Sequence, residues 1–286
     1  MKPELIVTLN KGDPVPETGS LAIPMEPFAA GFDRPFSVSD WKKLRQTTAR
    51  RNQKLYVMFP GFVLEDQLEE LTQLVAEIQD ADGLYYGDEA VFMAAAQAGF
   101  GGTLIFQPDT LICSSADANA VRSMGADCVS LAHELSLEEV CRIAAHADGL
   151  EVQVQGYYPV LTSRRKLLSA YGEETRNMEI HEGLYQLQES TRDSFLPILE
   201  QKSGTVLFTP VPVQSLRQIP ALLEAGISRF RLDSRFMDPE IRNLAIAACQ
   251  AVLNGQDWRP VLDGKHLPGS DDIWGKETVK TKEETL

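Results

Sequence analysis

The chain has 286 residues, 43% of them hydrophobic and 24% charged, a composition typical of a globular protein and unlike a disordered or collagenous one. Its formal net charge of −14 argues against a dominant grip on a nucleic-acid backbone by this chain alone. The N-terminal apolar run is broken by Thr8 and Asn10 and is too short for a signal peptide or a membrane span. Four widely spaced cysteines, which we interpret as buried apolar residues, offer no disulfide framework and no C-x-x-C pair. A cytoplasmic protein without a membrane association is predicted.

Short runs rich in β-branched residues alternate with amphipathic stretches, which is typical of β/α units around parallel strands. The predicted strands are Glu4–Leu9, Ser20–Pro24, Lys54–Phe59, Gly83–Tyr86, Thr103–Phe106, Cys128–Ala132, Leu150–Val154, Thr205–Phe208 and Ser228–Leu232. The predicted helices are Ser37–Asn52, Glu65–Gln79, Asp88–Ala98, Ser115–Met124, Leu137–Ala147, Ser215–Ala225 and Pro239–Asn254. This alternation favours an α/β fold of the TIM-like (β/α) barrel type, complete or irregular, and leaves a flavodoxin-like sheet open as the alternative.

The barrel-type domain is predicted to span residues 1–262. Within it, residues 163–203 follow the seventh predicted strand, are polar and rich in Arg and Glu, and are too long for an ordinary βα loop. We predict an insertion at the barrel mouth there, where function tends to lie. Residues 263–286 lack periodicity and are predicted to form a flexible or peripheral tail.

Chemistry in a (β/α) barrel gathers at the carboxyl ends of the strands, so polar residues that follow predicted strands are site candidates. These candidates are Glu26, Asp88, Glu89, Gln107, Asp109, His133, Glu134, Gln155, Tyr157, Tyr158, Asp233 and Arg235. Glu134 suits acid–base work if burial tunes its carboxyl group, and the alternative is that it simply precedes a helix with acidic residues in its first turn. For Asp233 and Arg235 the structural alternative is an ion pair between them.

The stretch Arg164-Arg165-Lys166 is a tight cationic cluster in an acidic chain. Two guanidinium groups on a loop at the barrel mouth could hold a carboxylate or phosphate by bidentate hydrogen bonds. The alternative is a solvated basic turn that pairs with Glu173 and Glu174.

Common catalytic motifs are absent from the sequence: there is no phosphate-binding loop, no dinucleotide fingerprint, no H-E-x-x-H and no G-x-S-x-G. The four histidines are scattered, so no metal site is predicted. A Ser-His-Asp or Cys-His hydrolase likewise lacks local support.

The order of segments over residues 80–250 resembles the peptidase U32 family, also called collagenase-like proteases. The resemblance lies in YYGDEAVFMAAAQAGFGGTLIFQPDTLICSSADANAVRSMGADCVSLAHELSLEEVCRIAAHADGLEVQVQG and in IPALLEAGISRFRLDSRFMDPE, which contain family-like AHELSLEEV and RLDSR stretches. The family signature is a Glu, a Gly five residues later, two cysteines flanking a short turn, and a Ser. EVQVQGYYPVLTSRRKLLS supplies Glu151, Gly156, Leu168 and Ser169 at that spacing.

Departures from the family pattern affect the cofactor. Where the signature has its cysteines, this chain has Pro159 and Lys166, which supply no thiolate. Many relatives hold an iron–sulfur cluster on four such cysteines, so we expect no cluster, and no other cofactor, in this protein. Gln155 stands where relatives have a histidine, and His133 where they have an arginine.

The resemblance implies a bacterial protein related to those that hydroxylate the wobble uridine of tRNA, some of them with prephenate. It further implies a cluster-less partner of a cluster-bearing paralogue, with tRNA bound through the complex. Arg164 and Arg165 would bind an anionic group such as a small carboxylate, Glu134 and Gln107 would act at the strand ends, and the tyrosines would wall the pocket. The alternatives are a peptidase or metal-dependent hydrolase using Glu26, Asp88 or Glu134, and a non-catalytic interaction barrel.

Overall fold

Parallel strands close into a barrel in the computed structural model, which describes residues 2–175, 179–188, 190 and 193–275. The barrel strands within these residues are β1 (Glu4–Thr8), β2 (Ser20–Pro24), β3 (Leu55–Phe59), β4 (Gly83–Tyr86), β5 (Thr103–Phe106), β6 (Cys128–Ser130), β7 (Leu150–Gly156) and β13 (Arg229–Leu232). Each pairs in parallel with the next, and β13 closes the ring between β7 and β1. The predicted (β/α) barrel is confirmed.

Helices cover the outside of the barrel. They are α1 (Val38–Arg50), α2 (Leu68–Glu77), α3 (Glu89–Ala98), α4 (Ser115–Ser123), α5 (Leu137–Ala144), α7 (Ile219–Glu224), α8 (Pro239–Leu253) and α9 (Arg259–Leu262). Local sequence sets their ends: Ser37 and Asp40 form a capping box on α1, and Gly99 ends α3 in the left-handed region at φ +64°. The barrel is irregular, because residues 9–19 join β1 to β2 without a helix.

An antiparallel sheet interrupts the barrel after β7. Its strands are β8 (Pro159–Ser163), β9 (Gly183–Gln188), β10 (Phe195–Gln201) and β11 (Gly204–Phe208), arranged β8-β11-β10-β9, with α6 (Leu167–Thr175) between β8 and β9. We call residues 159–208 the insertion. The strand predicted at Thr205–Phe208 forms here and not in the barrel. It follows β10 after only two residues, which is long enough for a hairpin and too short for a parallel crossover.

The insertion covers the carboxyl ends of the barrel strands. Its inner face carries Leu199, Val206 and Phe208, which pack together with Tyr157 and Phe236 from the barrel loops. Its β10 end is tied down through Gln201, whose amide accepts from Gly31 N at 3.1 Å and donates to the carbonyl oxygen of Phe32 at 2.6 Å. The barrel mouth is therefore closed over by a second layer of polypeptide.

The first part of the predicted tail packs against the barrel. Ser270 bridges to Val213 of the short strand β12 (Val213–Gln214), which pairs antiparallel with the end of β7. Leu267 and Trp274 are buried. Residues 276–286 of the predicted tail lie outside the described residues. In the described residues, no helix combines the length and apolar character that a membrane crossing requires.

Candidate functional site

Charged side chains line the barrel axis, because β7 and β13 place every second residue inward. At the amino end of the barrel, Arg229 Nη1 lies 2.8 Å from Glu4 Oε2. One level higher, the fully buried Glu151 accepts from Arg231 Nε at 3.3 Å and from Tyr85 Oη at 2.5 Å. Buried charges persist only when they are paired in this way, so Glu151 and Arg231 fix each other within the barrel.

Asp233 and Arg235 form an ion pair at the carboxyl end of this column. Arg235 Nη2 lies 2.6 Å from Asp233 Oδ2, and its Nε donates to both carboxylate oxygens. The guanidinium group also lies over the rings of Phe32 and Phe208, 4.2 and 5.0 Å from their centroids. The predicted pairing is confirmed, and Arg235 joins the barrel to the insertion.

Several buried polar atoms just below the mouth have no hydrogen-bond partner among the described residues. The atoms are Nη1 and Nη2 of Arg231, both ring nitrogens of His133, Oγ of Ser130, Oγ1 of Thr8 and Oε1 of Gln153. Arg231 Nη1 lies 3.5 Å from Asp233 Oδ2, within ion-pair range but without hydrogen-bond geometry. Unsatisfied buried polar groups are costly, so these atoms are candidates to bind a water or another polar molecule.

His133 is held on one side by an aromatic ring. It stacks on Tyr158 with a centroid distance of 4.2 Å and an interplanar angle of 18°, and Tyr158 Oη donates to the Gln153 carbonyl at 2.8 Å. Burial, with Arg231 and Arg235 nearby, lowers the pKa of His133 well below its usual range. The imidazole is therefore neutral at physiological pH, with one nitrogen able to donate and the other to accept.

Asp109 lies beside His133 in the loop after β5. Its Oδ1 is 3.8 Å from His133 Nε2 and accepts a hydrogen bond from Gln107 Nε2. A quarter of its side chain is accessible, yet burial of the carboxyl raises its pKa, with Arg231 and Arg235 opposing the rise. Asp109 has φ +66°, a conformation that costs energy outside glycine and is found at functional sites.

The mouth retains a cavity of about 10 Å³ beneath the insertion, room for about one water molecule. Its lining includes Gln107, Asp109 and Arg235 from the barrel and Pro159, Thr162 and Val206 from the insertion. A ligand larger than water would reach the unsatisfied atoms only if the insertion moved.

The structure brings some of the predicted site residues together. Gln107 and Arg235 line the mouth cavity, Asp233 pairs with Arg235, and Tyr158 stacks on His133. Tyr157 packs edge-on against Phe236 at 5.5 Å. The buried Gln155 donates to the carbonyl oxygen of Pro268 at 3.4 Å.

Other predicted site residues lie on the surface. Glu26 and Glu134 are exposed, although His133 next to Glu134 is buried. Arg164 and Arg165 are exposed at the turn that follows β8. The roles predicted for these four residues stay predictions.

Arg231 is not among the residues singled out from the sequence, Glu151 is singled out only through the family resemblance, and His133 only as a polar residue that follows a strand. The signal was present in E-V-Q-V-Q and R-F-R-L-D, where polar and apolar residues alternate in strands that a barrel buries on both sides.

The cysteines do not fit a four-thiolate cluster at the signature position. Cys128 lies inside the barrel, Cys249 is buried in α8, Cys141 lies on α5, and Cys113 is exposed in the loop before α4. The interpretation of all four cysteines as buried residues is thus wrong for Cys113. This residue lies in the polar loop between β5 and α4 and not in a strand or helix that packs on the core. In the described residues, no group of three His, Cys, Asp or Glu side chains could hold a metal ion.

Comparison with known proteins identifies the family of this chain. The model of peptidase family U32 matches residues 28–257. The chain belongs to peptidase family U32. The tRNA hydroxylation protein P2 of Bacillus subtilis (strain 168) is 28% identical over 253 residues, which cover 84% of this chain and 82% of that protein. The predicted resemblance to the family is confirmed.

A solved U32 structure shows the same fold. The U32 peptidase Mk0906 superposes with a TM-score of 0.51 at 14% identity, over 82% of this chain and 92% of that chain. At this level of identity the likeness extends to the fold alone. Within it, Glu151 of β7 is fully buried in the barrel, and Gly156 is the last residue of that strand.

Proposed function

We propose that this U32 protein takes part in 5-hydroxylation of the wobble uridine of tRNA in the bacterial cytoplasm, as the partner of a cluster-bearing paralogue. The similarity to a tRNA hydroxylation protein supports the reaction. The accessory role is supported by Pro159 and Lys166, which supply no thiolate at the two positions where the family resemblance implies ligating cysteines. The net charge of −14 supports binding of tRNA through the complex and not by this chain alone.

The observation that carries the proposal is the unsatisfied guanidinium end of Arg231 beneath the barrel mouth. Both Nη groups of this planar guanidinium lack a hydrogen-bond acceptor, although Nη1 lies 3.5 Å from Asp233 Oδ2, and two such donors match the two oxygens of a carboxylate. Ser130 and Thr8 offer hydroxyl groups, and neutral His133 offers a donor and an acceptor for a hydroxyl or keto oxygen. The site thus suits a small oxygenated carboxylate such as prephenate, with Gln107 and Asp109 at its entrance.

Arg164 and Arg165 enter the proposal as a separate anion contact. Their exposure on the insertion suits a phosphate or carboxylate group that approaches from outside, once the partner has brought tRNA to the mouth. Glu134 and Glu26 are proposed to contact the same substrate from the rim.

The alternative of a metal-dependent hydrolase depends on Glu26, Asp88 and Glu134. Glu26 and Glu134 are exposed, whereas Asp88 is occupied by hydrogen bonds to the backbone. Asp88 caps α3 by accepting from Ala90 N at 2.9 Å, and it also accepts from Val63 N at 2.9 Å. No observation among the described residues favours hydrolysis over the proposed function.

The test is nucleoside analysis of bulk tRNA by mass spectrometry from a deletion strain that is complemented with variants. We expect 5-hydroxyuridine derivatives to fall on deletion and to return with the wild type and with Arg217→Ala, a matched exposed arginine (side chain 71% accessible). Arg231→Lys, which keeps the charge and loses the bidentate geometry, should restore little of the modification. Arg164→Ala with Arg165→Ala tests the outer contact.

Two controls separate the outcomes. Circular dichroism and a thermal melt show whether Arg231→Lys is folded, and calorimetric titration of purified wild type with prephenate shows whether the site binds the carboxylate. An unchanged nucleoside profile in a strain that lacks both this protein and its cluster-bearing relative would contradict the proposal. Full complementation by every folded site variant would favour the non-catalytic interaction barrel.

A further inference from the structure

The insertion lies over a group of buried polar side chains with atoms that lack hydrogen-bond partners among the described residues. We call these side chains the polar cluster: Thr8, Ser130, His133, Gln153 and Arg231. The mouth above them retains a cavity of about 10 Å³, so no ligand larger than water reaches them in this closed arrangement. The closed state carries the cost of the unsatisfied groups, and water can hydrogen-bond to them once the insertion lifts. Burial of the polar cluster therefore opposes closure.

The insertion is held together by contacts of its own. Its four strands form one antiparallel sheet. The fully buried Glu200 of β10 binds the start of α6, where its carboxylate accepts from Leu168 N at 2.7 Å and from Ser169 N at 3.2 Å. Thr205 Oγ1 of β11 accepts from Leu167 N at 3.0 Å. Since helix and sheet are joined to each other in this way, the insertion can move as one body.

Two short segments connect the insertion to the barrel and form a stalk that is anchored at its base. They are residues 157–158, which follow β7, and residues 209–212, which precede β12. The two segments pair with each other, since Thr209 N donates to the Tyr158 carbonyl oxygen at 2.9 Å. Tyr158 is buried and stacks on His133 of the barrel. The stalk is therefore the fixed end of the insertion.

The other end of the β10–β11 hairpin is fastened to the mouth by a latch. At this end Gln201 pairs with Gly204, and four residues later Phe208 leads into the stalk. Four steps along a strand separate the latch from the stalk by about 13 Å. Gln201 forms hydrogen bonds with Gly31 and Phe32 in the loop after β2. Release of these two bonds frees the end of the hairpin that lies away from the stalk.

We propose that the insertion is a hinged lid, which pivots at the stalk and opens at Gln201 to admit a ligand to the polar cluster. The lid rests on the proposed function in one respect, because the polar cluster is the proposed carboxylate site. In the closed position the Phe208 ring lies against Arg235, 5.0 Å from the guanidinium carbon, and closes the space above the cluster. Opening is a property of the protein without its ligand, so it can be measured by itself.

Thiol labelling measures the opening. Ser130 is the last residue of β6 and is 2% exposed, so Ser130→Cys puts a thiol of similar size in the polar cluster. Iodoacetamide is too large for a cavity of about 10 Å³ and reaches this thiol through an open lid. Cys249, buried in α8 outside the barrel, is the reference for unfolding. Peptide mass spectrometry gives the labelling rate at each position.

Two comparisons decide whether the lid opens at the latch. A lid that opens without unfolding labels position 130 about tenfold or more faster than Cys249, and with a weaker dependence on urea because less surface is exposed. Gln201→Ala should accelerate labelling at position 130 about thirtyfold through the loss of two hydrogen bonds. Lys202→Ala, at the exposed neighbour, should leave the rate unchanged. Equal rates with equal urea dependence at position 130 and Cys249, or no acceleration by Gln201→Ala, would overturn the proposal.

A second reporter and prephenate separate the lid from its proposed ligand. Thr8→Cys places a thiol in the same cluster from β1, and circular dichroism shows that the reporter variants are folded. Bound prephenate should slow labelling in both reporters, because it occupies the cluster. Fast labelling that prephenate does not slow in either reporter would contradict the carboxylate site and leave the lid in place. Slow labelling in both, with prephenate binding seen by calorimetry, would contradict the lid and leave the site.

Discussion

His133 is a buried polar side chain whose environment favours its neutral form. Its ring is stacked on Tyr158, and positive guanidinium groups lie close by. A charged imidazole would meet both desolvation and like charge, so the neutral form is strongly favoured. The residue is thus held as a hydrogen-bonding group and is not a charge partner for Asp109, although their side chains are 3.8 Å apart.

The first prediction concerns the pH dependence of stability. In the unfolded chain His133 takes up a proton near pH 6.5, and in the folded protein its pKa is well below that. Its contribution to stability is therefore complete above about pH 6.5 and is lost as the pH falls, by up to about 1.4 kcal/mol per pH unit. His133→Phe keeps the stacking ring and removes this loss. Between pH 7 and 5.5 we expect the drop in unfolding free energy, measured in urea, to be smaller by about 1 kcal/mol in the variant.

A control separates this effect from the carboxylates. His146→Phe alters an exposed histidine and should follow the pH dependence of the wild type. Burial raises the pKa of Asp109, so its contribution has the opposite sign, and all three proteins share it. An identical slope in wild type and His133→Phe would show that the imidazole is not held neutral by the fold.

At the same scale, strand alternation identifies which residues point inward, but not which of them pair. The pattern R-F-R-L-D places Arg229, Arg231 and Asp233 on one face. That Arg231 binds Glu151, 80 residues away, depends on β13 lying next to β7, which is a property of barrel closure. The pairing of Asp233 with Arg235 is local and could be predicted.

At the scale of elements, β7 and the loop after β13 approach so closely that only a glycine fits between them. Gly156 has φ +112°, and a Cβ added to it would lie 2.2 Å from the carbonyl oxygen of Asp233. This contact brings the ion pair of Asp233 to the mouth, directly beside the end of β7. The family signature glycine thus has a steric reason.

The second prediction follows from that contact. Gly156→Ala should lower the free energy of unfolding by about 3 kcal/mol or more, since the methyl group strains the backbone and displaces Asp233. Gly99→Ala is the matched control: its φ is +64° and an added Cβ would meet nothing within 4 Å, so we expect a loss of about 1 kcal/mol. Urea unfolding of both variants measures the difference. Similar losses would mean that conformation alone, and not the approach of Asp233, requires the glycine.

The elements themselves were predictable to different degrees. Barrel strands such as β3 and β4 are short, apolar and followed by amphipathic helices, so their pattern identifies them. In the insertion, β9 and β10 have apolar residues on both faces and polar residues at their ends. Their sequences therefore lack the apolar–polar alternation by which a half-buried strand is identified. Their fold depends on packing against the barrel mouth.

The third prediction concerns the attachment of the insertion. Gln201→Ala removes both hydrogen bonds that tie β10 to Gly31 and Phe32. At about 1 kcal/mol each, their loss should increase amide exchange in β10 and β11 roughly thirtyfold, as measured by mass spectrometry. Lys202→Ala, a change of the exposed neighbouring residue, should leave exchange unaltered. Unchanged exchange in Gln201→Ala would show that the aromatic contacts alone hold the insertion.

At the scale of the whole molecule, the two ends of the chain support the same part of the barrel. Near the N-terminus, β1 pairs with β13 and so completes the ring. Beyond α9, residues 263–275 return to β12 and to the end of β7, where Pro268 accepts from Gln155. The strand that leads into the insertion is thus held by segments distant in sequence.

The fourth prediction tests that support. Trp274 is buried, and its Nε1 donates to Ser215 Oγ at 2.7 Å, which joins the C-terminal segment to the residue that follows β12. Trp274→Ala should cost about 3 kcal/mol of unfolding free energy through lost packing. Trp274→Phe and Ser215→Ala should each cost about 1 to 2 kcal/mol, and the double variant little more than one of them, since both remove the same hydrogen bond. Trp258→Phe, on a half-buried residue just before α9, should add to Ser215→Ala without coupling. Full additivity of Trp274→Phe with Ser215→Ala would mean that the segment is held by apolar contacts alone.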